Sequence, residues 1–204
     1  GTDITATLDG TDLTFSAATD YNGSENFTVS VTDDDLTDSQ VITVTINAVN
    51  DAPVAGVGIT GETSEGADVS IQLSASDVDG DNLIYTLLSD ATNGSVTIEG
   101  QLATYAPVDY YNGSDEFTFQ VSDGVLTDTA VVTLQINSVN DAPVLAILSD
   151  VSFDEDNTGG VTLSASDIDG DDLTYSVSPG TDITATLDGT DLTFSAATDY
   201  NGSE

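Results

Sequence analysis

The 204-residue chain contains no lysine, arginine, histidine, cysteine, methionine or tryptophan. Without basic side chains it cannot neutralise phosphates, which excludes nucleic acid and anionic membrane surfaces as direct partners. Without cysteine there is neither a disulfide to staple the fold nor a thiolate to bind a soft metal or attack a substrate. No apolar run reaches the roughly eighteen residues that a membrane-spanning helix needs, so direct membrane insertion is not expected.

What is abundant is acid. Thirty-seven aspartates and glutamates give a formal net charge of −37. Side-chain salt bridges cannot form, so every carboxylate must be satisfied by water, by backbone N–H groups or by a cation from solution, and the compact state repels itself. An acidic chain of low hydrophobicity would stay disordered. Here 38% of residues are hydrophobic and they are patterned, which argues for folding. The donors on offer are oxygens alone, so hard cations, Ca2+ first among them, are the ions such a chain can hold.

Comparison of the chain with itself gives its organisation. Asn50-Asp51-Ala52-Pro53-Val54 recurs at Asn140–Val144, and Ser76-Asp77-Val78-Asp79-Gly80-Asp81 recurs at Ser166–Asp171, in each case 90 residues later. Residues 1–25 are identical to residues 180–204, an offset of 179, so the larger period is two modules. Periods this long signal autonomous beads, whereas solenoid repeats of about 20–50 residues cannot bury a core singly. One module, 50–139, is read as complete; 1–49 is the C-terminal part of a preceding module and 140–204 the N-terminal part of a following one. Gly1 thus opens in mid-repeat, and no secretion signal is read there. The overlap of 25 residues favours a window on a longer continuous array over domain swapping between chains, because swapped halves would duplicate those strands.

Within 50–139, apolar residues alternate with polar ones at Val69, Ile71, Leu73 and Ala75, at Phe117, Phe119 and Val121, and at Ala130, Val132, Leu134 and Ile136. Period two predicts strands with one buried face. Shorter segments at 83–88, 96–98 and 102–105, punctuated by Asp-Gly, Asn-Gly and Glu-Gly, and one strand after Pro53 bring the number to about seven. No helical period occurs. The fold class is therefore all-β, an immunoglobulin-like or cadherin-like sandwich repeated in tandem. Asp77, Asp79 and Asp81 alternate around Gly80 and can turn their oxygens into one tight loop, as can Asp167, Asp169 and Asp171 around Gly170. An EF-hand would need glycine and glutamate where Asn82 and Leu88 stand, and flanking helices.

These residues resemble bacterial cadherin-like tandem repeats of large calcium-dependent surface adhesins. Val49-Asn50-Asp51-Ala52-Pro53 is similar to the cadherin linker, Asp77-Val78-Asp79 to the aspartate-x-aspartate element, and Ser122-Asp123-Gly124 with 129–137 to the last two strands of a repeat. The resemblance implies seven-stranded modules arranged end to end with calcium at each junction. The ligands it implies are Asp20, Asn50, Asp51, Glu65, Asp77 and Asp79 at the first junction. At the second they are Asp109, Asn140, Asp141, Glu155, Asp167 and Asp169. The chain departs from the family pattern at Ala48 and Ser138, where a further aspartate is usual, and at Tyr21-Asn22, where arginine-glutamate is usual. Asp109 stands one place out of register with Asp199. The resemblance implies a non-enzymatic element of the extracellular cell surface, part of an adhesin, a fibre or a biofilm matrix, whose partners are calcium, the neighbouring modules and copies of itself or surface glycans.

Catalysis by paired carboxylates is not expected, since repeated linker aspartates are more simply ligands. The runner-up function is carbohydrate recognition, for which Tyr21, Tyr110, Tyr111 and Tyr200 could supply a stacking surface; the plainer reading of these tyrosines is that they plug the end of a sandwich.

Overall fold

The computed structural model describes residues 3–203. Among them there are only strands and connecting loops. Contacts divide the chain into two units at Asn137/Ser138.

The first unit holds thirteen strands. Residues 3–49 supply two hairpins: β1 (Ile4–Asp9) with β2 (Asp12–Ala17), and β3 (Gly23–Thr32) with β4 (Thr37–Ile46). The rest of the unit supplies β5 (Val54–Ala55), β6 (Thr60–Ser64), β7 (Val69–Gln72), β8 (Ala75–Ser76), β9 (Ile84–Ser89), β10 (Gly94–Glu99), β11 (Leu102–Pro107), β12 (Gly113–Ser122) and β13 (Thr127–Asn137). Two sheets face each other. One has the order β10-β11-β7 and the other β6-β13-β12-β9, while β5 pairs with β8.

The alternation read from the sequence becomes the inside of this sandwich. Tyr105, Phe117, Phe119, Val121, Val132 and Ile136 are almost wholly buried, with Leu73 and Ala103 between them. Each large apolar side chain withdrawn from water in this way contributes about 1.5–3 kcal/mol. Tyr85 and Phe119 stack across β9 and β12 with ring centroids 6.2 Å apart.

Two features depart from the sequence reading. The period-two run from Val69 to Ala75 is not one strand: β7 pairs with β11, the chain steps out at Leu73-Ser74, and β8 pairs with β5. A strand also forms at Thr60–Ser64, in a stretch of glycine, glutamate, serine and threonine with no apolar alternation, because it pairs in parallel with β13 and gains its order from that ladder.

The direction of these strands locates the loops. β12 ascends from Gly113 to Ser122 and β13 descends from Thr127 to Asn137. The linker, the Asp77–Asp81 loop and the β12–β13 turn share the end of the module at Ser122, while the β6–β7 turn and residues 108–112 share the end at Asn137.

The second unit holds β14 (Val144–Leu145), β15 (Thr158–Thr162), β16 (Ala165–Ser166), β17 (Ile183–Asp188) and β18 (Asp191–Ala196). β14 pairs with β16, and β15-β18-β17 form a three-stranded sheet with Leu163 and Leu192 buried.

Candidate metal centre

The Asp77–Asp81 loop is a turn held by its own first carboxylate. Asp77 Oδ1 accepts from the backbone N–H groups of Asp79 at 2.9 Å, Gly80 at 3.1 Å and Asp81 at 3.4 Å. Gly80 sits at φ +78°, a left-handed conformation that glycine adopts without a Cβ clash. The other oxygen of Asp77, Oδ2, is buried and has no hydrogen-bond partner among the described residues. An orphaned buried carboxylate oxygen is costly unless something positive meets it. One oxygen each of Asp77, Asp79 and Asp81 lie within 4.8 Å of one another.

The linker closes onto this loop. Asp51 N–H donates to Asp79 Oδ2 at 2.7 Å. Asn50 Nδ2 donates to Asp51 O at 3.2 Å and to Asp123 Oδ2 at 2.8 Å. Asp123 Oδ1 is already taken by the N–H groups of Val125 and Leu126, both at 2.6 Å. Burial raises the Asp51 carboxyl above its ordinary range, and the charges of Asp20, Asp79 and Asp77 push it further the same way. The Asn50 amide lowers that of Asp123, aided by its two backbone donors. Four carboxylates therefore bear on one another with no cation in the chain to relieve them. The donor set is all oxygen, the loop is tied by three N–H bonds to Asp77 Oδ1, and one lone carboxylate oxygen is already stripped of water, so the residues fit a hard divalent ion.

The second unit repeats the construction. Asp167 Oδ1 accepts from the N–H groups of Asp169 at 3.0 Å and Asp171 at 3.3 Å, Asp141 N–H donates to Asp169 Oδ2 at 2.7 Å, and Asn140 Nδ2 donates to Asp141 O at 2.9 Å. Asn140, Asp141, Asp167 and Asp171 line one cavity of about 440 Å³.

Of the sequence-derived ligands, the structure thus gathers Asp20, Asn50, Asp51, Asp77, Asp79 and Asp81 at one place, and Asn140, Asp141, Asp167, Asp169 and Asp171 at another. Glu65 does not join the first group. Its N–H donates to Asn137 O at 2.9 Å, which puts it at the opposite end of the module from Asp77. Glu155 is likewise removed from the Asp167 loop: it lines a cavity with Ala196, Tyr200 and Asn201. Asp109 lies in the β11–β12 loop, but the residue that matches Asp20 there is Tyr110. Asp20, Tyr110 and Asp199 all take φ of 61–63°, and the following tyrosine N–H closes the same turn in each.

Sequence reasoning missed Asp123 and Asp128 as parts of this end. Asp128 Oδ2 accepts from Ala55 N–H at 2.8 Å, anchoring β5, and that bond lowers its carboxyl below the ordinary range. The signal available for Asp123 was Ser122-Asp123-Gly124, a turn closing a long strand.

The tyrosines settle at sandwich ends. Tyr111 is half-buried, with its hydroxyl on Ser114 O at 2.7 Å, and Tyr21 and Tyr200 fold over Gly23 and Gly202. Tyr110 alone of these four is exposed.

The family model for the bacterial Ig domain matches twice, over residues 50–135 and 140–204. The chain belongs to the bacterial Ig domain family. A bacterial Ig domain is the β-sandwich described above. Over 130 residues, 62% of the chain, these Ig domains are 32% identical to Chitinase A of Pseudoalteromonas piscicida, of which they span 16%. They are similar to the extracellular cadherin domains 1–4 of protocadherin gamma B7, with 14% identity and a TM-score of 0.54 over 95% of this chain and 55% of that one. An endo-fucoidan hydrolase of glycoside hydrolase family 107 aligns at 17% identity and a TM-score of 0.40, over 97% of this chain and 33% of that one. The tandem, cadherin-like, all-β organisation is therefore that of the family and of the protocadherin structure.

Proposed function

We propose that these Ig domains form part of an extracellular repeat array of a bacterial surface protein, a spacer or adhesive element rather than an enzyme, stiffened by Ca2+ at its linkers. The observation that carries the reading is the buried Oδ2 of Asp77, without a hydrogen-bond partner among the described residues, beside Asp79, Asp81 and Asp51 in a chain with no positive side chain.

When bound, the ion supplies the positive charge that the polypeptide lacks. Asp77, Asp79 and Asp81 would hold it from the loop, and Asp51 and Asn50 from the linker. Asp20, from the β2–β3 loop, would bring residues 3–49 onto the same charge, so that the linker is held from both sides and cannot swing freely. Extracellular modules bind calcium with dissociation constants of about 10⁻⁴–10⁻³ M, so millimolar external calcium fills such sites and cytosolic calcium does not. At about ten times the dissociation constant each site contributes about 1.4 kcal/mol.

Calcium titration followed by calorimetry, thermal melting and small-angle scattering tests this. The expected result is saturable millimolar or tighter binding, a higher melting temperature and a longer, straighter particle, with magnesium and sodium much weaker in effect. Absence of binding, with melting and length unchanged in chelator, overturns it.

A second reading is favoured by the chitinase relative: the array would be an appendage that binds polysaccharide for a larger secreted protein. Co-sedimentation with chitin and other insoluble glycans separates the two, since a spacer stays in solution.

A further inference from the structure

Two linker residues are tied to the β12–β13 end of their own module, each across 73 positions of sequence. Asn50 Nδ2 donates to Asp123 Oδ2 at 2.8 Å, and Ala55 N–H donates to Asp128 Oδ2 at 2.8 Å. Between them, Asp51 N–H is held by Asp79 Oδ2 at 2.7 Å. All six residues belong to the complete module, 50–139. The linker is therefore pinned by the protein itself at Asn50, Asp51 and Ala55.

The acids at this end do different work. Asp77 keeps a buried Oδ2 without a hydrogen-bond partner among the described residues. Asp123 has both oxygens engaged: Oδ1 accepts from the N–H groups of Val125 and Leu126, and Oδ2 from Asn50. The turn itself needs one oxygen. Asp33, ninety positions earlier, closes the matching β3–β4 turn through Oδ1, which accepts from Asp35 N–H at 3.2 Å and Leu36 N–H at 2.8 Å. The second oxygen of Asp123 is thus spare for the turn, and it holds the linker.

What it holds is the orientation of an amide. A carboxamide is planar, with a nitrogen that only donates on one side and an oxygen that only accepts on the other. Both N–H bonds of Asn50 are committed, one to Asp123 Oδ2 and one to Asp51 O at 3.2 Å. With the nitrogen fixed there, the oxygen faces away from Asp123. Asn50 Oδ1 accepts no hydrogen bond among the described residues. Turned the other way, the amide would set its oxygen against the Asp123 carboxylate, two acceptors with no proton between them, and that orientation is costly. It would also offer an N–H group, which cannot ligate a cation, where the oxygen now stands.

We propose that Asp123 is a positioning residue of the metal centre: by taking Asn50 Nδ2, it leaves Asn50 Oδ1 as the ligand atom that the linker presents to Ca2+. The inference rests on the calcium reading above. It adds that the β12–β13 turn, through a carboxylate that is not itself a ligand, selects the donor atom of the linker.

The test uses the full chain and NMR, in which the Gly80 and Gly170 amides report the two loops separately. In metal-free buffer the two protons on Asn50 Nδ2 should be well separated in shift and slow to exchange with water. Asp123→Asn keeps an oxygen for the turn but meets Asn50 with an N–H group in place of the acceptor. It should erase that signature and leave the Val125 and Leu126 amides where they were. Calcium titrations then form a double-mutant cycle. With Asn50 present, Asp123→Asn should raise the dissociation constant read at Gly80 about tenfold. In the Asn50→Ala background the same substitution should raise it only about twofold, the share of the lost charge. The Gly170 signal serves as the internal reference in every titration. Equal effects in the two backgrounds, or Asn50 signals unmoved by Asp123→Asn, overturn the positioning role while calcium binding stands. A Gly80 amide that ignores millimolar calcium in the unsubstituted chain overturns the calcium reading and this inference with it.

Discussion

The Tyr105 hydroxyl donates to Asp115 Oδ2 at 3.0 Å inside the sandwich, joining β11 to β12 through a charged acceptor. The same carboxylate takes the N–H groups of Thr92 at 3.1 Å, Asn93 at 2.8 Å and Glu116 at 2.9 Å. Burial alone would raise its carboxyl; the bonds from Asn93, Glu116, Thr92 and Tyr105 together lower it instead. Tyr105 is pushed strongly up, by burial first and then by the bond to Asp115 and its charge. Glu25 does the same task at the matching position of residues 3–49, accepting from Asp3 N–H at 2.8 Å. Asp115→Ala strands several buried donors and should cost about 2–3 kcal/mol in denaturant unfolding, against about 0.5–1.5 kcal/mol for Tyr105→Phe. Since the native carboxyl ionises below its ordinary value, Asp115 contributes stability above that value and loses it as pH falls through the native one. Asp115→Ala should therefore flatten the acid limb of the stability curve. Equal costs for the two variants would show that the network is not organised around the carboxylate.

Gly94 opens β10 with its back against the ring of Tyr105. A Cβ there would come within 2.6 Å of Ala106 O and of the Tyr105 ring. The backbone of β11 cannot retreat without breaking its ladder to β7. Gly94→Ala should destabilise the first unit by about 1–3 kcal/mol, whereas Gly58→Ala, where the added carbon meets nothing within 4 Å, is limited to the strain of its φ of +72°. Thermal melts of the two variants check this; a neutral Gly94→Ala would mean that the sheets separate easily at this point.

The buried faces were legible because alternation is a local signal. Val69 and Ile71, Phe117 to Val121 and Ala130 to Ile136 declare a wet and a dry side within a few residues, and the structure buries the dry one. The Asp77 loop was legible for a similar reason, since its ligands lie within five residues of one another. Glu65 was not. It follows Asp51 by fourteen residues and precedes Asp77 by twelve, but β6 runs parallel to β13 and carries it to the Asn137 end. Period two reveals which side of a strand is dry and is silent on which way the strand runs. The same holds for Asp123, which reaches Asn50 from 73 residues away. The offset of Asp109 has a different origin: the left-handed position in that loop is held by Asp20 in one module and by Tyr110 in the next, and aspartate and tyrosine share no chemistry that would align them.

Asp77 offers a way to separate folding from metal binding. Its Oδ1 holds the turn through three N–H groups, and its Oδ2 has no hydrogen-bond partner among the described residues. Asp77→Asn keeps an oxygen at the first place and puts an amide at the second. The turn should survive, and metal-free stability should hold or improve as one charge leaves the cluster. Calcium affinity at this loop should fall at least about tenfold, about 1.4 kcal/mol. Calorimetric titration beside metal-free melting reads both. Undiminished calcium binding in Asp77→Asn would mean that Oδ2 is not a ligand.

Asp51 gives the cluster a pH signature with a defined sign. Its carboxyl is raised in the folded chain, by burial and then by Asp20, Asp79 and Asp77. The native state therefore keeps this proton at pH values where the unfolded chain has lost it. Stability must then fall as pH rises through the interval between the ordinary value and the raised one, and return on acidification. Asp123 and Asp128, lowered by their donors, act in the opposite sense, contributing above the ordinary range and failing only below it. In metal-free buffer the melting temperature of the first unit should rise as pH drops from about 7 towards about 4.5, where self-repulsion also weakens. Calcium should flatten this rise, because the ion and the proton compete for the same oxygens. Asp51→Asn should show a smaller rise without metal and a smaller response to calcium. A pH dependence identical to that of the unsubstituted chain would remove Asp51 from the cluster.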